Sequence, residues 1–295
     1  MLNFRKNKVA YIVVFIVFLV FGLLYDLYCS YEQEQQQSNM KSFFDYHIKQ
    51  LNKNIEDAKL SSMAIAVLLG QNDSIQKCLL NLDRGECIKN VNNIVNTLSA
   101  VSMYNNIKIH LHTKDLKSYV RSWDTNQFGD TLTSFRYLIN QAIKKQKPVA
   151  GIEAGVAGVY MRAVSSVAYE GENIGSVEVL LSYEHLGNFF KEQGIDLFVL
   201  LDKNQAISHK PGPNDDLLKD HYIENLNSAN LNILEILRGI DFEKTDFYAY
   251  KTHYFSMVPL IDASSKRIGY YVLHINTDTK ERNISQNYLH AEELF

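Results

Sequence analysis

The sequence predicts an α+β protein: an N-terminal transmembrane helix, a long stalk helix, and two tandem modules with antiparallel sheets. Three observations lead there. An unbroken apolar run, Val9 to Tyr25, follows Arg5, Lys6 and Lys8. Helical spacing then continues without proline as far as Gly70. From Ile107 the apolar period falls to two, and a strand–turn–strand pattern occurs twice. Composition narrows the function classes. With 46% hydrophobic residues the chain is no disordered tail, and 14 Gly and 3 Cys exclude a collagen-like or disulfide-dense scaffold. A formal net charge of −3 argues against a nucleic-acid binder.

The apolar run of 17 residues is extended past Asp26 by Leu27 and Tyr28. That length meets the lower limit of about 17 residues for a spanning helix. A secretory signal would have a shorter core and a small-x-small exit, whereas this exit reads Leu-Tyr-Cys-Ser. The span, residues 9–28, is therefore expected to stay as an anchor. The basic residues precede it, and Asp26, Glu32 and Glu34 follow. This places residues 1–8 in the cytoplasm and the rest outside. The expected location is the bacterial inner membrane, single-pass, with a periplasmic body.

Residues 31–70 read as one helix with a seam of Phe44, Ile48, Leu51, Ile55, Ala58, Ser62, Ile65 and Leu69. The seam predicts either a homodimer or packing on the chain's own body. Asn72-Asp73-Ser74 starts a second helical stretch, running to about Met103. A turn at Asp83–Gly85 brings Cys78 and Cys87 together. They are read as a disulfide in an oxidising compartment or as two buried thiols.

Strands are expected at 107–112 and 117–123, then a helix over 131–145. Further strands are expected at 149–155, 158–169 and 176–182. The pattern restarts after Gly194. It has a strand at 195–201, a polar loop at 211–213, a largely helical stretch at 217–237, and strands at 248–260 and 268–275. Residues 278–295 read as a helix. Tyr160, Val164, Ile174 and Gly175 have counterparts 94 positions on, at Tyr254, Val258, Ile268 and Gly269, which makes tandem duplication the natural reading. The domain organisation is thus 1–30 anchor, 31–105 helical segment, 106–193 first module, 194–277 second module and 278–295 terminal helix.

Certain polar groups stand out on apolar strands. Tyr119, Arg121 and Trp123 alternate, as do Tyr160 and Arg162. Glu153 sits in a small, apolar strand, and Asp130 and Arg136 flank the intervening helix. Converging arginines favour a carboxylate or similar small anion, which guanidinium grips through two parallel hydrogen bonds, and the aromatics supply walls. The same residues also permit structural ion pairs, Arg162 with Glu153 or Arg136 with Asp130. His110 and His112 point the same way on a strand, but no third ligand is evident, so no metal and no cofactor is expected. No Gly-x-Ser-x-Gly elbow, phosphate loop or His-Glu-x-x-His motif occurs, and the chain reads as a non-enzyme.

The residues Leu111-His112-Thr113-Lys114-Asp115, Ser118 to Trp123, Gly129 to Arg136 and Lys147 to Gly155 carry a family pattern. It comprises a His-Thr-x-Asp turn, an Arg on the next strand, a Gly-Asp–Leu–Phe-Arg segment and a Pro-Val-Ala-Gly-Ile-Glu strand. The chain thereby resembles the double Cache family over about residues 40–277, in the variety called the double sensory domain of two-component kinases. Its members are extracytoplasmic sensor regions of bacterial chemoreceptors, histidine kinases and diguanylate cyclases. The resemblance implies PAS-like Cache modules. It also implies a small-molecule pocket in the first, membrane-distal module, and a structural hydrogen-bonding role for His112. The family's usual second span and output domain have no counterpart before Phe295, so the polypeptide is expected to be a receptor fragment, the product of a shortened gene, or an accessory sensor acting through a partner. The alternative function is a membrane-anchored interaction protein with the fold and no working pocket.

Overall fold

The computed structural model describes residues 2–80, 83–133, 136–207 and 217–278. The chain divides into an N-terminal unit, residues 1–47, and a body, residues 48–295. Helix α1, Leu2–Gly70, begins in the first and ends in the second. Its N-terminal part is long and apolar enough to cross a membrane, and Phe15, Phe18, Phe21 and Leu24 are exposed along it. Within the body, Leu51, Ile55, Ala58, Ser62 and Leu69 are buried in a single chain, with the Ser62 hydroxyl donating to the Ala58 carbonyl at 2.8 Å. That part of the seam is therefore covered by the chain's own body, and it is not a surface left over for a second copy.

Two short helices follow, α2 (Asp73–Leu80) and α3 (Arg84–Leu98). Asn72 caps α2, its side-chain oxygen accepting the amides of Ser74 and Ile75 at 3.0 and 3.3 Å, and Asp83 caps α3 through the Glu86 amide at 3.2 Å. Cys78 and Cys87 are joined as a disulfide, Cα–Cα 5.2 Å. Helix α3 stops at Leu98, short of Met103, and a 3₁₀ turn at Ser102–Tyr104 leads into the sheet.

The first sheet comprises β1 (Lys108–Thr113), β2 (Ser118–Arg121), β3 (Val149–Gly155), β4 (Gly158–Tyr169) and β5 (Glu172–Leu181), with α4 (Tyr137–Lys145) between β2 and β3. Helix α5, Glu184–Glu192, links it to the second sheet. That sheet comprises β6 (Asp196–Asp202), β7 (His221–Ile223), β8 (Phe247–Tyr250), β9 (His253–Ile261) and β10 (Arg267–Asn276), with α6 (Leu234–Arg238) between β7 and β8. Both sheets are antiparallel and repeat one strand order, β2-β1-β5-β4-β3 and β7-β6-β10-β9-β8.

Several expected elements differ. The helix expected over 131–145 starts only at Tyr137. Thr131 instead bridges Lys117, and the buried Leu132 packs with Leu138, Ile139, Ala142 and Val164. The helical stretch expected at 217–237 holds strand β7 and turns before α6, because its apolar residues fill the second core and do not line one helix face. The single strand expected at 248–260 is a hairpin, β8–β9, turned at Lys251 with φ 54. The helix expected at 278–295 and the loop at 211–213 lie outside the described residues.

The repeated Ile-Gly pair has a physical cause. In both sheets the register skips this isoleucine, so Ile174–Gly175 and Ile268–Gly269 form equivalent β-bulges. A Cβ on Gly175 would lie 2.3 Å from the His112 carbonyl oxygen, and one on Gly269 1.8 Å from that of Leu200. Only glycine lets the neighbouring strand approach so closely. The other two sequence pairs are off by one. Strand pairing makes Val164 equivalent to Met257, not Val258, because the second hairpin connection is one residue longer.

Candidate functional site

Strand β1 is an inner strand of its sheet, paired with β2 and β5, and buried on both faces. Ile109 and Leu111 fill one face, and His110 and His112 the other, at 1% and 0% exposure. The histidines are thus interior groups, although their alternation with apolar residues resembles that of a solvated face. On the same face β5 brings Glu178 directly opposite His110, β4 brings Arg162, and the start of α4 brings Arg136.

These groups form one buried ionic cluster. Arg136 donates to Glu153 Oε2 at 3.0 Å and forms a short contact with Glu178 Oε1. Arg162 donates to the same Glu178 oxygen at 3.3 Å and to the Glu153 and Gly158 carbonyls at 2.9 and 3.2 Å. Glu153 also accepts the amides of Tyr137 and Leu138, at 2.5 and 3.3 Å. Burial works against a charge on Glu178, but the guanidiniums of Arg136 and Arg162 outweigh it and hold the carboxyl well below the usual range. Burial depresses both His110 and His112, so their neutral forms are favoured.

Five of the sequence-selected residues are consequently engaged within the protein. Arg136, Glu153 and Arg162 belong to the cluster. Arg121 forms a two-pronged pair with Asp130, at 2.9 and 2.6 Å, and donates to the Gln127 carbonyl at 2.9 Å. Asp130 therefore pairs with Arg121 and not Arg136, and Arg162 meets the Glu153 backbone and not its carboxylate. The converging arginines meet the protein's own carboxylates in this structure. Tyr119 is half-buried on the edge strand, where its carbonyl accepts from Arg84 Nε at 3.1 Å.

The other two residues, Trp123 and Tyr160, line a cleft of about 430 Å³ beside β1 and β4. Lys108 stands between them, its Nζ 4.5 Å from the Tyr160 ring centroid, 5.5 Å from that of Trp123, and in a short contact with the Tyr160 hydroxyl. Glu224 and Tyr222, from the second sheet's side, complete the wall, and the Glu224 carboxylate accepts the Val159 amide at 2.9 Å. Burial, with a contribution from Arg162, lowers the Lys108 pKa to about 8, and burial raises Tyr160 to about 12. The cleft can hold a small ligand against aromatic faces with one amine at hand. Lys108 and Glu178 were not singled out by sequence. A lone glutamate within Val177-Glu178-Val179-Leu180-Leu181 is the same signal that marked Glu153.

Among the described residues, the second sheet has no counterpart to the ionic cluster. Its equivalents of His110, His112, Glu178 and Arg162, read from strand pairing, are Phe198, Leu200, Val272 and Phe255. All four belong to one apolar core.

Two consecutive antiparallel sheets of one strand order, preceded in the chain by a helix apolar enough to span a membrane, define a tandem two-module architecture. The chain belongs to the family described as the double sensory domain of two-component sensor kinases, whose profile matches residues 37–279. A sequence comparison with curated proteins finds no match. Among solved structures, the chain is similar to the Vibrio cholerae histidine kinase DctB sensor domain (13% identity, 79% of this chain and 97% of that chain covered, TM-score 0.44). It is also similar to a sensory box/GGDEF family protein domain from Vibrio parahaemolyticus (12%, 78% and 93%, TM-score 0.42). A third is the Campylobacter jejuni chemoreceptor Tlp3 sensory domain with isoleucine bound (13%, 77% and 88%, TM-score 0.38).

Proposed function

We propose that this chain is a membrane-anchored ligand sensor of a bacterial signalling receptor, with residues 1–8 cytoplasmic and the body periplasmic. It binds a small carboxylate-bearing metabolite in the cleft beside β1 and β4. The observation that carries this reading is Lys108, a largely buried amine flanked by the Tyr160 and Trp123 rings at the wall of the cleft. Its ammonium pairs with the ligand carboxylate in a low-dielectric setting, and the rings cover the ligand's apolar part. Because both modules contribute lining residues, a ligand that prefers one arrangement of them shifts the population toward it.

The test is a thermal-shift screen of the full-length chain in detergent at pH 7, with mono- and dicarboxylates and amino acids. A subset should raise the melting temperature, and Lys108→Met or Trp123→Ala should abolish that rise. A binder indifferent to both substitutions would refute the cleft. A well-folded protein with no hit would favour a membrane-anchored interaction protein.

A further inference from the structure

We infer that His110, His112 and Glu178 form a binding site for a divalent transition-metal ion, separate from the cleft and independent of the reading above. The three ligand atoms lie within 4.8 Å of one another, and all three side chains are buried. Glu178 Oε2 is 3.4 Å from His110 Nδ1 and 3.6 Å from His112 Nε2. A tetrahedral ion with bonds of about 2.0–2.2 Å separates its ligands by roughly 3.3–3.6 Å. The two glutamate–histidine separations are therefore those of tetrahedral edges, and the two imidazole nitrogens lie within 4.8 Å of each other.

The outer contacts point the same way. His110 Nε2 lies 2.8 Å from the Ser118 hydroxyl, and His112 Nδ1 2.9 Å from that of Ser176. Arg136 and Arg162 hold the other oxygen of Glu178. Second contacts of this kind fix the rings and carboxylate of metal ligands. In the tautomer in which the serine oxygens accept from the far imidazole N–H groups, both inner nitrogens turn lone pairs toward the ionised Glu178 oxygen, and a cation among them satisfies that arrangement. A proton on His110 Nδ1 serves that nitrogen alone, through a long 3.4 Å contact. It leaves His112 Nε2, fully buried, without a hydrogen-bond partner. A metal ion satisfies all three atoms.

The fold does not require these groups, since the second sheet closes the same positions with Phe198, Leu200 and Val272. Arg136 and Arg162 are already balanced by Glu153 and Glu178. A bound dication thus adds two positive charges, which an anionic fourth ligand such as hydroxide or chloride offsets in part. A nitrogen–nitrogen–oxygen donor set with no sulfur suits Zn²⁺, Ni²⁺ or Cu²⁺, and Zn²⁺ serves as the probe.

The experiment uses the full-length chain without a histidine tag, in detergent and chloride-free buffer, stripped with chelator and titrated with ZnSO₄. The expected result is one equivalent bound, with zinc-edge X-ray absorption showing two imidazoles, oxygen and no sulfur. His112→Gln and Glu178→Gln should each weaken binding at least a hundredfold, and Ser176→Ala about 10–100-fold, the usual cost of losing an outer contact. His253→Gln, in the second sheet, should leave binding unchanged. Failure of the folded wild-type chain to bind zinc would overturn the inference. So would a sulfur-containing absorption spectrum, or binding lost in His253→Gln. The spectrum is read on the wild-type chain, so it decides the matter even where a buried-site variant does not fold.

Discussion

Replacing Arg136 with methionine removes a guanidinium that is 3% exposed and bridges two buried carboxylates. Breaking one partner out of a buried ion pair costs about 3–5 kcal/mol, because the remaining charge stays desolvated. Here the loss is cushioned. Glu178 keeps Arg162 at 3.3 Å, and Glu153 keeps two backbone amides. The expected cost is therefore at the lower end, about 3 kcal/mol. For a body of this size each kcal/mol is worth about 2–4 °C, so the melting temperature should fall by roughly 6–12 °C. The assay is thermal unfolding of chelator-treated wild type and variant, followed by circular dichroism. A second variant, Arg136→Met with Glu153→Gln, should recover part of the loss, since it removes the carboxylate left under-paired. A single-variant cost below about 1 kcal/mol, the scale of an exposed pair, would refute the reasoning. So would a double variant less stable by the sum of both losses.

The disulfide closes a short loop, with Cys78 and Cys87 separated by 9 in sequence. Chain-entropy arithmetic for about ten residues gives roughly 2.7 kcal/mol. Cys78→Ser/Cys87→Ser should therefore melt about 5–10 °C lower, and reductant should lower the wild type but not the double variant. Gly269→Ala places a Cβ 1.8 Å from the Leu200 carbonyl oxygen. The cost should reach about 3 kcal/mol or more, read from the urea midpoint. Ligand affinity in the cleft should fall as pH rises through about 8, where Lys108 loses its charge, by up to tenfold per pH unit above it. Titration calorimetry between pH 6.5 and 9.5 reads this, and Lys108→Met should abolish the dependence.

The first sheet was largely legible because glycines mark its turns. Strands expected at 149–155 and 158–169 are β3 and β4 to the residue. The second sheet was less so. Its helices are short, α6 spans only Leu234–Arg238, and apolar residues that fill a core from turns mimic helical spacing. The hairpin at Tyr250–His253 carries no glycine or proline, since Lys251 itself takes the positive φ. At the candidate site the sequence marked polar residues on apolar strands but not their partners. Which arginine meets which carboxylate depends on strand register, and register depends on bulges that leave only an Ile-Gly pair in the sequence. His110 and His112 lacked a third ligand because Glu178 lies 66 positions beyond His112 in the chain and is brought in by β5.

The contrast between the two sheet interiors has a consequence for tolerance to change. Each sheet shares the same strand order and the same bulge, yet one is closed by charges and the other by hydrocarbon. The hydrocarbon interior draws its cohesion from a non-directional force that tolerates exchanges between apolar side chains of similar volume. The charged interior depends on every partner being present. Apolar-for-apolar exchanges of similar volume at Phe198, Leu200, Val272 and Phe255 should therefore cost less than loss of a charge at the equivalent positions of the first sheet.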